Sequence, residues 1–283
     1  MDSVVRILHA GSGCRLGQFR CRPRHPLWRE ENWIGPDWHL VFPGPAVWIK
    51  PDHDEPLLAT ANEVLRYPPD TYYWRRIAAP SGDRCLFLTF GDELAGELGV
   101  PAAVSTRLRH SALDARTYAA AHQLARDLEC GAVGDLPADE RVLGLLHRLA
   151  GRRPIRPSSD LRRRELVERV KYELARRIAE PVRLAEIAAA VNYSPYHLAR
   201  LFRAHTGQPM YGYLQQLRLR ESLDQAVTGQ GTLAELASAY GFANHSHYTR
   251  MFRQVFGVPP TALRGQRHPE PSLPQPPAVL DTM

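Results

Sequence analysis

The chain has no apolar run near the roughly 18 residues that a membrane span needs. Its start, Met1-Asp2-Ser3-Val4-Val5-Arg6, has no basic stretch followed by a long apolar one. Neither a span nor a secretory leader is therefore expected, and the expected location is the cytoplasm. Cysteine is scarce: Cys14, Cys21, Cys85 and Cys130 are too few and too scattered for a disulfide scaffold. Cys14 and Cys21, with His9 and His25 nearby, leave a metal or redox site open, but their spacing fits no zinc pattern, and buried or incidental thiols are the default. His-x-His with a following Glu, a metal-ligand pattern of β-barrel enzymes, is missing: His39 stands alone and His53 lies in a charged turn. No catalytic residues, metal or cofactor are expected.

Lysine is rarer still, with only Lys50 and Lys171, so the positive charge is carried by arginine. Arginine dominates equally in the electrically neutral half, which points to codon usage rather than selection for phosphate contacts. The placement of charge is more telling than its type. Residues 1–160 carry 20 Lys/Arg and 20 Asp/Glu, whereas residues 161–267 carry 16 against 8. All the excess positive charge thus lies in one segment of about a hundred residues, the electrostatic footprint of a nucleic-acid-binding module. A solvated basic surface is the alternative that charge alone leaves open.

The 283 residues suffice for two cores. Residues 1–100 alternate short β-like runs, such as His39-Leu40-Val41-Phe42 and Cys85-Leu86-Phe87-Leu88-Thr89-Phe90, with turns rich in Pro, Gly and Asp. That pattern predicts an antiparallel sandwich or small barrel. Helical spacing takes over at 113–128 and 139–149, the second helix starting after Pro137. Residues 151–160 read as a linker, 161–267 as helical throughout, and 268–283, with five prolines, as a disordered tail. The expected class is α+β in two domains: an N-terminal β-barrel or sandwich with trailing helices, then an all-α domain.

Within the basic segment the chain repeats itself. Leu184-Ala185-Glu186-Ile187-Ala188 returns as Leu233-Ala234-Glu235-Leu236-Ala237, and each copy continues through a second helix to a glycine, Gly207 or Gly257. A proline follows two residues later, at Pro209 or Pro259. Each copy has the parts of a helix-turn-helix: a small residue at Ala188 or Ala237 where helices approach, and Asn192 or Gly241 to take φ > 0 in the turn. Leu198, Leu201 and Phe202 in the first copy, and Tyr248, Met251, Phe252 and Val255 in the second, have inward phase. Tyr196, Ala199, Arg200 and Arg203 form the outward stripe of the first copy, and Ser246, Thr249, Arg250 and Arg253 that of the second. Guanidinium groups in that position suit guanine edges and phosphates in a major groove. Residues 210–227 read as one long helix, a rigid connector that presents both second helices to successive groove segments about 34 Å apart.

Ser194-Pro195-Tyr196-His197-Leu198-Ala199-Arg200-Leu201-Phe202-Arg203, and later Tyr240-Gly241-Phe242 with His247-Tyr248-Thr249-Arg250-Met251-Phe252-Arg253, resemble the two modules of the AraC/XylS family. The resemblance covers about residues 165–265. It implies a DNA-binding transcriptional regulator with base contacts from Tyr196, Ala199 and Arg200 and from His245, Ser246, His247 and Arg250. Arg203 and Arg253 are expected to hold phosphates. Ala199 is smaller than the polar residue often found there, which leaves Tyr196 and Arg200 as the first helix's readers. The β-then-helix order of residues 1–150 is similar, less specifically, to the family's cupin-like sensor and dimerisation helices. The expected partners are double-stranded DNA, RNA polymerase, a small-molecule effector and a second copy of the chain, with activation as the family's commoner output. All five Trp lie in the N-terminal half, and the aromatic residues there fit a ligand pocket or core filling equally. Control by a protein partner or by abundance is the alternative, and a cupin-type enzyme fused to the DNA-binding domain a further one. A repair methyltransferase of this type would need a four-cysteine zinc cluster that Cys14 and Cys21 do not supply.

Overall fold

The computed structural model describes residues 4–11, 13–52, 54–100, 107–150, 152, 160–229 and 231–263. The expected tail lies outside these residues, as does the linker apart from Arg152 and Asp160. Ten strands come first: β1 (Val5–Gly11), β2 (Cys14–Cys21), β3 (Asn32–Trp33), β4 (Trp38–Pro43), β5 (Val47–Pro51), β6 (Leu57–Ala59), β7 (Glu63–Tyr67), β8 (Tyr72–Ile77), β9 (Asp83–Phe90) and β10 (Arg109–Ala112). Three helices are interspersed or follow: α1 (Asp92–Glu97), α2 (Ala115–Glu129) and α3 (Asp135–Ala150). The rest is helical: α4 (Leu161–Arg176), α5 (Leu184–Ala190), α6 (Pro195–Thr206), α7 (Met210–Glu221), α8 (Leu223–Thr228), α9 (Leu233–Ala239), α10 (His245–Phe256) and α11 (Pro260–Leu263).

The strands form two open antiparallel sheets, ordered β1-β2-β9-β4-β7-β10 and β3-β8-β5-β6. This is the sandwich branch of the expected class rather than a closed barrel. Period-2 alternation assigns the faces of the larger sheet. Leu16, Leu40, Leu88 and Phe90 are buried beneath the helices, with Leu88 paired to both Leu16 and Leu40. Val41, Cys85, Phe87 and Thr89 face the second sheet. Gly17 lies opposite Phe87, and a Cβ there would stand 2.3 Å from the ring, so any larger residue would push the Phe87 ring aside.

The sandwich interior is thinly filled. Its core cluster comprises only Val47, Ile49, Ala59, Leu65, Tyr67, Tyr73 and Leu108, and a cavity of about 550 Å³ remains between the sheets. The main core lies on the other face of the large sheet, where α2 and α3 pack and where it runs on into the C-terminal helices.

Two helices differ from expectation. Helix α3 starts at Asp135, ahead of Pro137, because a proline in the first turn removes an N–H that has no helical partner. The connector divides at Ser222 into α7 and α8. The buried Ser222 hydroxyl donates to Leu219 O (2.9 Å) and meets Tyr248 Oη at 3.0 Å, a back-bond that competes with the regular ladder.

Helix α2 is wedged between the large sheet and the C-terminal helices α7 and α10. The turn 60–62 and its flanking strands form a socket for α7 and α4. Thr60 Oγ1 meets Tyr213 Oη at 2.7 Å, Asn62 Nδ2 donates to Tyr213 O, and Arg220 donates to Ala61 O (2.7 Å) and Leu113 O (2.6 Å). Lys171, 1% exposed, pairs with Glu63 and Glu168, and Glu168 also accepts the Leu58 N–H. The sheet-rich and helical parts of the chain are thus joined by buried polar contacts.

Candidate nucleic-acid interface

The short helices α5 and α9 start at residues whose N–H donates to a carboxylate three positions on: Arg183 to Glu186 and Thr232 to Glu235. Thr232 Oγ1 returns the bond by accepting the Glu235 N–H, completing a capping box. Ala188 and Ala237 are buried where the helices cross. The turns adopt φ +55° at Asn192 and +67° at Gly241, the left-handed conformation read from the sequence. Glycine is required at the second turn, because a Cβ would lie 2.8 Å from both Ala179 O and Arg218 Nη2.

Helices α6 and α10 stand on buried Leu198 and Phe202, and on Tyr248, Phe252 and Phe256. Asn244 Oδ1 accepts the His247 N–H and fixes the start of α10. Both helices end on a left-handed glycine, Gly207 (φ +78°) and Gly257 (φ +85°), whose N–H bonds the carbonyl of Arg203 or Arg253.

These supports fix the outward stripes. Tyr196 is 66% exposed, Arg200 and Arg203 are exposed, and the Arg200 guanidinium lies 5.8 Å above the Tyr196 ring. Tyr196 and Arg200 therefore form one unit, and Ala199 beside them is half-buried. On α10, His245, Ser246, Arg250 and Arg253 are exposed, with Ser246 Oγ 3.3 Å from His245 Nε2. His247 is half-buried, its ring edge-on to Phe242 at 5.6 Å, so it braces the start of the helix as well as bordering the surface. No carboxylate among the described residues pairs with Arg200, Arg203, Arg250 or Arg253. Such guanidinium groups keep their donors for an external anion.

Not every cation of the basic segment faces solvent, a distinction that charge counting misses. Arg218 donates from Nε to Ile178 O (2.7 Å), from Nη2 to Glu180 O (2.5 Å) and from Nη1 to Gly241 O (2.9 Å). It clasps the chain after α4 to the turn of the second module and so fixes the two modules to each other. Arg220 and Lys171 serve the domain junction. The buried set of α7, Tyr213, Leu214, Gln215, Leu217, Arg218, Leu219 and Arg220, surrounds most of the helix and leaves these arginines no surface to occupy.

Cys14 and Cys21 are both buried, at opposite ends of β2, about 23 Å apart and at an odd offset, so they cannot share a metal. Burial raises the pKa of both thiols. Among the described residues no three His, Cys, Asp or Glu side chains gather as metal ligands, and no helix is long and apolar enough to cross a membrane. His53 lies outside the described residues.

A helix-turn-helix domain family model matches residues 187–266. The multiple antibiotic resistance protein MarA of Escherichia coli is 29% identical over 87 residues, covering 31% of this chain and 68% of MarA. The regulatory protein PocR of Salmonella typhimurium is 29% identical over 100 residues, 34% of this chain and 33% of PocR. Among solved structures, an AraC-type transcriptional regulator from Chromobacterium violaceum aligns with 38% of this chain and 96% of its own, at 24% identity and TM-score 0.35. ToxT from Vibrio cholerae aligns with 88% of this chain and 96% of its own, at 11% identity and TM-score 0.34. Structural likeness at that level does not bear on mechanism; the matched segment and the paired modules do. Residues 187–266 thus carry a helix-turn-helix domain, and over this C-terminal segment the chain resembles DNA-binding transcriptional regulators of the AraC/XylS family.

Proposed function

We propose that this regulator reads one asymmetric duplex site with both modules and that a small molecule in the sandwich cavity controls that reading. Tyr196 and Arg200 read bases from α6, with Ala199 packed beside them. His245, Ser246 and Arg250 do so from α10, with His247 at the edge, and Arg203 and Arg253 hold phosphates. The supporting observation for DNA reading is the pair of matched stripes whose four arginines lack carboxylate partners among the described residues. Residues 161–267 form the DNA-binding unit in this reading.

The β6–β7 connection supports effector control. Ala59 and Leu65 line the cavity, and between them Thr60, Ala61, Asn62 and Glu63 bind Tyr213, Arg220 and Lys171 of the helical domain. An occupant that favours one setting of this hairpin biases the seat of the DNA-binding helices, since a ligand shifts an equilibrium only by its differential contacts. The output is activation through RNA polymerase in the bacterial cytoplasm, without catalysis. Self-association uses the outer face of α3, with Leu136 exposed and Leu143 half-buried, because α2 is covered inside one chain.

Footprinting with full-length protein tests the reading: two protected major-groove segments about one helical turn apart are expected. A single protected segment would refute bipartite reading. Transcription in vitro with RNA polymerase is expected to rise, and a fall would reverse the output. Sedimentation at micromolar concentration is expected to show a dimer, and a monomer refutes the α3 contact.

A further inference from the structure

The effector reading leaves open what the cavity accepts, and the cavity's own side chains bear on that. Arg75 on β8 lines it, with a side chain 5% exposed. The guanidinium donates from Nη1 to Asp83 (3.2 Å) and from Nη2 to Tyr73 Oη (2.7 Å), and stacks 4.1 Å over the Phe19 ring. Its Nε is buried without a hydrogen-bond partner. A buried donor left unmade carries a desolvation cost that an acceptor atom of a ligand would relieve. Around it are Phe19, Val41, Leu65, Tyr67 and Phe87, a wall of rings and branched chains.

The charges of this interior are already balanced. Arg75 is matched by Asp83, and Arg15 by Asp37 4.0 Å away towards the rim. Burial lowers the His39 pKa, keeping its imidazole neutral, and raises those of Cys85 and Tyr67, keeping both protonated. With Nδ1–H of His39 donated to Asp37 O (3.1 Å), Nε2 remains as an acceptor. Among the buried groups that line the cavity, an anionic ligand would find no uncompensated cation, and burying its charge would be costly. An uncharged oxygen would find an open donor.

We infer that the cavity takes an uncharged, largely aromatic or alicyclic molecule bearing one hydroxyl or carbonyl oxygen, which accepts from Arg75 Nε. The volume of about 550 Å³ is that of a small-molecule site. This inference rests on the effector reading, and the test separates the two.

Binding of 2-naphthol, 2-naphthoate and naphthalene to the full-length protein is measured by calorimetry at pH 7.5. Naphthol is expected to bind at least about ten-fold more tightly than naphthoate, and Val41→Phe, which intrudes on the cavity, is expected to weaken its binding. Arg75→Met alone would strand Asp83, so the joint change Arg75→Met with Asp83→Leu removes the pair together. In that variant naphthol is expected to lose its advantage over naphthalene while naphthalene binds as before. Naphthoate binding as tightly as naphthol, or an advantage that survives the joint change, overturns the uncharged class or the Arg75 contact and leaves the effector site standing. If none of the three binds, or Val41→Phe leaves their binding untouched, the cavity is not a ligand site and the effector reading falls with it.

Discussion

Lys171 and Glu63 stand 108 residues apart and meet at 2.9 Å inside the protein, one on α4 and the other on β7. Glu168 completes the triad at 3.1 Å. Removing Lys171 leaves two buried carboxylates without their cation. Lys171→Met is expected to destabilise the protein by about 3–5 kcal/mol and, in urea, to separate unfolding of the sheet-rich and helical parts that otherwise coincide. A loss under about 1 kcal/mol with a single transition would show that the triad does not hold the domains together.

The same triad sets an acid limit. Burial pushes the Glu63 carboxyl up, but Lys171 and His110 outweigh burial and hold its pKa well below the ordinary value of 4.5. A depressed folded pKa contributes stability that is present above the unfolded value and lost as pH falls below it. Stability is therefore expected to decline as pH drops below about 4.5, and Glu63→Gln is expected to flatten that decline while lowering stability at neutral pH. Parallel pH profiles for the two proteins would contradict the assignment.

The arginines of the two stripes are expected to separate by role. Arg200→Ala and Arg250→Ala should each cost about 1–3 kcal/mol of DNA binding and relax one position of the site. Arg203→Ala and Arg253→Ala should weaken all sequences alike and reduce the salt slope by about one each. Binding isotherms on single-base variants at several salt concentrations decide it; a uniform loss from all four removes the distinction.

Two left-handed glycines should respond differently. At Gly207 a Cβ would have nothing within 4 Å, so Gly207→Ala is expected to cost only the conformational penalty of about 1–2 kcal/mol. Gly241→Ala adds a clash with Ala179 O and the Arg218 clasp and is expected to cost clearly more. Equal losses in chemical denaturation would show that the clasp yields.

The recognition modules were legible because their signals are local. Ala188, Asn192 and Gly207, and their counterparts Ala237, Gly241 and Gly257, each do a job set by nearby backbone, and the repeat shows the job twice. The sandwich was legible from short β-like runs such as residues 39–42 and 85–90 set between turns rich in Pro, Gly and Asp. The domain junction was not. Arg218, Arg220 and Lys171 read as surface charge because their partners are distant in sequence: 159 residues separate Arg220 from Ala61. The aromatic content was visible, but not that the sandwich interior stays open while the main core forms on the opposite face of the larger sheet. The break at Ser222 arises from a tertiary contact to Tyr248 that helical periodicity does not encode.

The most direct test of the central claim is selection of bound duplexes from a random pool by the full-length protein. The account predicts enrichment of one asymmetric site with two conserved blocks about a helical turn apart, the blocks relaxing separately in Arg200→Ala and Arg250→Ala. Binding that enriches no sequence and only fades with salt would contradict it, leaving a nonspecific basic surface in place of a two-module reader.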